Sequence, residues 1–432
     1  MLSNLPPALN YPDFRRLWLG QLFSSLGTQM QLIALNWHIY QLLTNQTISI
    51  SLFNYPLTLD AQALGLGALG LVRILPIIFF VLIGGLLADT LDRRRLLITT
   101  QTAIAFVSLT LAILTWQNQI TIFSLYALTA IASIFAAMDE PALQAIIPNL
   151  IPPQHLSSAL SLNTLLWYLG TITGPGLAAL LIAQTDISFV YFLNALSFGA
   201  VLLAIRRPFA YSQNQPVTPP PSTPKTFKSQ LALIQQGLHF TYNNKLIWST
   251  MLIDFWATFF GSARTMLPLI ADRIFNAGVN GYATLATAQP IGAVLAGLVL
   301  ARRQPSNHQG RNLLLSVALY GLATTLFGFT TSFWLAYLFF ALTGVGDTIS
   351  TVIRGTIRQL NTPDHLRGRM TSVNMLFFMG GPQLGELEAG IVAALWNPPL
   401  AIITGGLLTI TMTAYFAYHY PQLRHYQSHQ LP

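Results

Sequence analysis

The sequence predicts an all-α integral membrane protein with twelve transmembrane helices in two six-helix pseudo-repeats. Three observations carry this. The 432-residue chain is 53% hydrophobic and 8% charged, against about 25% charged in a soluble protein. Its apolar residues fall in runs long enough to cross a bilayer, which takes ~20 residues of helix. Its basic residues keep to alternate connectors, with none between the fourth and fifth runs, so that 18 of the 21 lie on one side. That is the positive-inside pattern, and it puts both termini in the cytoplasm.

In chain order the runs lie near 14–43, 62–88, 96–116, 121–141, 157–183, 187–205, 246–271, 282–301, 312–331, 333–357, 370–395 and 399–419. Arg15 and Arg16 precede the first, and Arg93, Arg94 and Arg95 separate the second from the third. Arg206, Arg207, Lys225, Lys228 and Lys245 lie between the sixth and seventh, and Arg302, Arg303 and Arg311 between the eighth and ninth. Arg354, Arg358, Arg367 and Arg369 flank the connector after the tenth, and Arg424 is in the tail. Only Arg273 sits on the opposite connectors, while Arg73 and Arg264 are inside spans. The net charge of +8 is therefore a topology signal, not a nucleic-acid footprint. The expected partners are the lipid bilayer and a small-molecule substrate, and a monomer is expected. The absence of cysteine excludes disulfides and thiolate chemistry. The first run is too long and too polar in its middle for a cleaved leader. A bacterial inner (plasma) membrane is the expected location.

The predicted organisation is an N-terminal bundle (1–205), a cytoplasmic linker (206–245) and a C-terminal bundle with a short tail (246–432). Pro208, Pro216, Pro219, Pro220, Pro221 and Pro224 make the linker semi-extended. After them Phe227, Leu231, Ile234 and Leu238 recur at helical spacing, as in an amphipathic helix lying on the membrane surface; a partner-docking helix is the alternative. The halves resemble each other. Pro153-Gln154-His155-Leu156 followed by Asn163 recurs as Pro363-Asp364-His365-Leu366 followed by Asn374, with Asp139 or Asp347 upstream. Parallel repeats of this kind build many transporters.

The polar residues inside the runs carry the chemistry. Gln21, Ser25, Gln29 and Asn36 share one face of the first span. They line a water-filled cavity or bond to other helices, since amides are costly to bury alone. Arg73, Asp254, Arg264, Asp347, Glu386 and Glu388 are intramembrane charges, which are paired, cavity-facing or protonated. The four acids are candidate proton carriers, with structural ion pairs as the other reading. Glu386 and Glu388 lie roughly 200° apart around a helix and cannot share a cavity face. Trp37, Tyr40, Phe255 and Trp256 are candidate apolar contacts for a substrate. In the fifth span Gly170-x-x-x-Gly174-Pro175 allows close helix approach and a bend. Gly65-x-Gly67-x-x-Gly70 matches a dinucleotide fingerprint but opens an apolar helix instead of following a strand. It reads as helix packing. There is no Walker loop, no HExxH and no clustered metal-ligand spacing. No cofactor, metal or enzymatic activity is expected.

Several stretches then point to a family. Gly85-Leu86-Leu87-Ala88-Asp89-Thr90-Leu91-Asp92-Arg93-Arg94 resembles the loop motif of the major facilitator superfamily. Phe14-Arg15-Arg16-Leu17-Trp18, Asp139-Glu140-Pro141-Ala142, Thr362-Pro363-Asp364-x-Leu366-Arg367-Gly368-Arg369 and Leu384-Gly385-Glu386-x-Glu388-x-Gly390 are similar to its enterobactin-exporter-like and macrolide-efflux-like branch of drug:proton antiporters. The resemblance implies proton-coupled export of an amphipathic or hydrophobic molecule by alternating access. It also implies a cytoplasmic gate at Gly85, Asp89, Arg93 and Arg94, and an antiporter-like element at Gly170, Gly174 and Pro175. An uncoupled facilitator or lipid transporter of the same fold, or a non-transporting sensor, are the alternatives. The chain departs from the family's pattern at five points, one being the absence of the antiporter arginine expected in the fourth span, on which a standard proton relay depends. Asp92 replaces the loop's second glycine, Ala178 and Ala179 replace the last two of the fifth-span element, Glu140 stands where arginine is frequent, and Arg264 adds a charge.

Overall fold

Hydrocarbon offers no partner to a free N–H or C=O, so the apolar runs must close their hydrogen bonds internally as helices. The computed structural model describes residues 6–52, 55–90, 92–206, 227–302 and 307–427. The first six spans are α1 (Pro12–Leu42), α2 (Ala61–Thr90), α3 (Arg93–Trp116), α4 (Ile122–Ile146), α5 (Leu156–Gln184) and α6 (Ile187–Ile205). A linker helix, α7 (Phe227–Asn243), precedes α8 (Lys245–Phe260). Then come α9 (Gly278–Arg302), α10 (Gln309–Phe329), α11 (Phe333–Leu360), α12 (Asp364–Leu395), α13 (Pro398–His419) and a closing turn, α14 (Pro421–Arg424). Among the described residues, ten segments are long and apolar enough to cross a membrane. The two other long helices, α1 and α12, carry the polar residues singled out above, which lower their hydropathy.

Three local features depart from the sequence expectation. The seventh span is not one helix. It stops at Phe260, breaks at Gly261, and continues through single 3-10, α and π turns to Ile274. Glycine is a poor helix former, and Pro268 has no N–H to give to an uninterrupted ladder. The connector between α1 and α2 is an antiparallel hairpin, β1 (Thr47–Leu52) with β2 (Tyr55–Asp60), pairing Thr47 with Asp60. This is the one exception to an all-helical chain among the described residues, and the alternation Thr-Ile-Ser-Ile-Ser-Leu accounts for it. Asp92, in place of the motif's second glycine, caps α3: its Oδ1 accepts from the Arg95 backbone N–H at 2.8 Å.

The described chain divides into two compact units, 1–35 with 75–230, and 36–74 with 231–432. Residues 36–74, although early in the chain, thus pack with its second half. Phe14, Leu17, Leu97, Ile146, Leu162 and Val201 centre the first unit's core. Ile253, Leu313, Val317, Ile357 and Phe416 centre the second's. Trp116 and Phe123 in the first unit, and Phe329, Trp334 and Trp396 in the second, are exposed at connectors opposite the arginine-bearing ones. In each unit such exposed aromatic residues at span ends suit a membrane interface. The proline-rich stretch 208–224 lies outside the described residues, as do the side chains of Phe227, Leu231 and Ile234. The helix predicted there is α7, and its Gly237 seats on the Arg369 backbone, where a Cβ would lie 2.7 Å from the carbonyl oxygen.

Candidate functional site

The second unit holds three polar clusters. The outermost joins the ends of α1 and α2 to the turns that finish the seventh span. Tyr40 Oη donates to Asp272 Oδ2 at 2.6 Å. Arg273 pairs with Asp60 and donates to Gln62 Oε1. Gln62 Nε2 donates to the Tyr40 carbonyl at 2.6 Å. Asp60 Oδ1 also accepts from the Gln62 backbone N–H at 2.9 Å, capping α2. One layer deeper, Trp37 stacks on Tyr282 with ring centroids 6.2 Å apart. Asn36 Nδ2 donates to Tyr282 Oη at 3.0 Å. Asn36, Trp37 and Tyr40, read from the sequence as cavity residues, are buried in these contacts.

The middle cluster lies where α2 crosses α12. A Cβ on Gly67 would fall 2.7 Å from Gly390 Cα, so the two backbones touch. The Gly65–Gly70 stretch is thus a packing surface. Gly70 sits against Gln383 and Glu386. Arg73, Arg264 and Tyr282 surround the Glu386 carboxylate within electrostatic range. Glu386 is only 8% exposed. Its Oε2 has no hydrogen-bond partner among the described residues. No ion pair within 4.0 Å includes it among those residues. Glu388, on the other side of the helix, is half-buried and stands apart from this cluster.

The innermost cluster joins α8 to α11. Arg354 Nη2 lies 2.9 Å from Asp254 Oδ1, and both side chains are 2% exposed. The same nitrogen is 3.8 Å from Asp347 Oδ1 and donates to Thr351 Oγ1 at 2.9 Å. Arg358 is buried beside this group and within electrostatic range of Asp254. The sequence reading placed Arg354 and Arg358 with the loop charges; the structure puts them inside α11. Phe255 stacks on Phe259 at 5.9 Å, and Trp256 on Phe260 at 5.5 Å, forming an aromatic wall along α8.

In the first unit, Gly170 and Gly174 of α5 admit α1. A Cβ on Gly170 would lie 2.6 Å from Ser25 Oγ, and one on Gly174 would lie 2.6 Å from Gln29 Cβ. Ser25 and Gln29 therefore occupy a helix interface, and Pro175 is buried one residue beyond it. Gln21 faces a small cavity of about 190 Å³ between α1, α4 and α5. Asp139 Oδ1 accepts from Thr100 Oγ1 at 2.5 Å, and its Oδ2 from Gln101 Nε2 at 2.7 Å. Gly85 and Asp89 belong to the last turns of α2, with side chains outside the described residues. Arg93 starts α3, half-buried. Arg94 Nε donates to the Ile205 carbonyl at 2.7 Å and Nη2 to that of Arg206 at 2.5 Å, closing the end of α6.

The profile of the family described as "Transmembrane secretion effector" matches residues 3–431. The chain belongs to this family of major facilitators. It is 25% identical to the enterobactin exporter EntS of Escherichia coli (strain K12), over 99% of this chain and 96% of that one. It is 26% identical to that of Shigella boydii serotype 18, over 94% and 91%. Among solved structures, a bacterial homologue of the human lysosomal transporter Spinster, inward-facing and occupied, aligns with a TM-score of 0.71 at 12% identity, covering 98% of this chain and 99% of that one. A POT family transporter in complex with 5-aminolevulinic acid aligns at 0.66 and 14% identity, covering 98% of each. The protein is thus a multi-pass membrane transporter and not an enzyme.

Within this secretion-effector fold the structure adds residues that the sequence reading did not single out. Asp60, Gln62 and Asp272 form the outer cluster with Arg273. The signal for it was Arg273, the lone base on connectors otherwise free of them. Arg354 and Arg358 join Asp347 on one helix face, and the spacing 347, 354, 358 carries that information.

Proposed function

We propose that this transporter exports an amphipathic, siderophore-like small molecule from the cytoplasm, exchanging it for protons by alternating access. The single observation that supports coupling is Glu386. It is a carboxylate buried at the α2–α12 crossing, near two arginines yet within ion-pairing distance of neither. An intramembrane acid without a fixed partner is free to exchange a proton or to meet a polar group on the cargo. The outer cluster supports alternating access: its polar contacts between the ends of α1 and α2 and the seventh span break at modest cost, since exposed pairs are worth ~0–1 kcal/mol. The export direction and the siderophore-like cargo draw on the likeness to the enterobactin exporters. The cytoplasmic placement of both termini, in a bacterial inner membrane, draws on the basic connectors.

Proteoliposomes loaded with enterobactin provide the test. Efflux should rise with an imposed pH gradient and collapse when an ionophore dissipates it. Glu386→Gln should lose gradient-driven efflux and keep substrate exchange across the membrane. Efflux indifferent to the gradient would remove the coupling, and gradient-driven efflux in Glu386→Gln would remove Glu386 as the carrier.

A further inference from the structure

The 190 Å³ cavity of the first unit has core residues such as Phe14, Leu17 and Ile147 on part of its wall and polar and aromatic groups on the rest. Trp18 and Gln21 come from α1, with Ser25 one turn further on; Glu140 comes from α4, and Asn163 and Trp167 come from α5. Trp18 is oriented by its own hydrogen bond, Nε1 to the Leu162 carbonyl at 3.2 Å. Trp167 is exposed and held edge-on by Tyr168 at 5.1 Å. Ser25 is turned to the Leu166 carbonyl at 3.5 Å. The Gln21 amide nitrogen is buried with no hydrogen-bond partner among the described residues, and as a donor it suits an acceptor on a ligand and not a cationic group. Glu140 is the only ionisable residue on the wall among the described residues. Its Oε1 accepts from Gln144 Nε2 at 2.8 Å, and a carboxylate has room for further donors. The neighbouring Asp139 points away, to Thr100 and Gln101 of α3.

Two indole rings and a carboxylate around a space of this size make a receptor for a cation. Aromatic faces attract ammonium and guanidinium groups, more strongly where water is reduced. Glu140 is exposed at the end of α4, and a single negative charge on an otherwise uncharged wall is best offset by a positive ligand. We propose that this cavity is a recognition subsite for a cationic head, an amine or guanidinium, on the exported molecule, with Glu140 as its charge-selecting residue and Trp18 and Trp167 as its aromatic walls. This rests on the export reading above and narrows it to an amphipathic cation. The cavity lies near the start of α1, beside Arg15 and Arg16, at the end that the basic connectors assign to the cytoplasm, so the subsite meets cargo on the side from which export begins.

The test uses the full chain in lipid nanodiscs and two probes with one carbon frame, phenethylammonium and 2-phenylethanol. Tryptophan fluorescence reads occupancy, and Trp167→Phe identifies the share of the signal that arises in this cavity. The ammonium should quench saturably and bind about tenfold more tightly than the alcohol. Glu140→Gln should bring it to the level of the alcohol, and Glu140→Arg should abolish it, with melting temperatures unchanged. Equal affinity for the two probes, or undiminished ammonium binding in Glu140→Gln, overturns the subsite. Ammonium binding with no efflux of any cargo from proteoliposomes would sustain the subsite and sink the export reading. Efflux of enterobactin without ammonium binding would do the reverse.

Discussion

Asp139 in the first unit is a half-buried acid and Asp254 in the second a buried one, both on transmembrane helices, and they are compensated by different means. Asp139 receives hydrogen bonds from two neutral groups, the Thr100 hydroxyl and the Gln101 amide. Asp254 faces a guanidinium 2.9 Å away, with Asp347 on the other side of the same arginine. The two kinds of site differ in what happens when one partner goes. Neutral donors and an acid form a local bond that an isosteric amide can imitate. A buried ion pair is costly to assemble, and breaking it leaves a charge stranded in a medium that cannot solvate it.

The comparison is most exposed at Arg354. Replacing it with methionine should destabilise the protein by about 3–5 kcal/mol, because Asp254 is then left uncompensated. Thermal melting of the purified protein measures this. Adding Asp254→Leu should restore most of the loss, since an apolar pair of similar volume often matches a buried ion pair. If the double variant melts no higher than the single one, charge is not what joins α8 to α11. Asp139→Asn comes next. Its amide retains an acceptor for Thr100, so a cost of about 1 kcal/mol is expected. A loss as large as that of Arg354→Met would erase the distinction between the two sites. Arg273→Gln gives the surface reference and the smallest effect. The pair with Asp60 is partly exposed, and its stability contribution should stay within ~0–1 kcal/mol. Its consequence should appear instead as faster labelling of a cysteine placed at Asn45.

Much of this architecture can be read from the chain alone. The spans follow from apolar length, and their order follows from where arginines stand, because lipid enforces both rules on every segment. The close crossing at Gly67 and Gly390 can also be anticipated from small residues in an apolar run. The partners of the charges are another matter. Arg73, Arg264 and Glu386 are visible as costly residues, but their meeting depends on how α2, α12 and the broken seventh span come together. That break follows from Gly261 and Pro268 acting in one context, which hydropathy does not register. Arg354 misled for a related reason: near a helix end, an arginine that orients a connector and one that neutralises a buried acid have the same sequence appearance. The polar face of α1 divides its work between Ser25 and Gln29, packed on α5, and Asn36, bonded to Tyr282. A shared helical face therefore did not mean a shared environment.

The hairpin between α1 and α2 has a mechanical consequence. Its register pairs Thr47 with Asp60, so the last turn of α1 and the first of α2 are bolted together by a backbone ladder. Tyr40 and Asp60 ride on that one rigid tip, and their partners Asp272 and Arg273 are neighbours on the opposing strand of chain. In the transport cycle proposed above, the two contacts part in a single stroke, and the outer end works as a latch with two positions and no half-open stop.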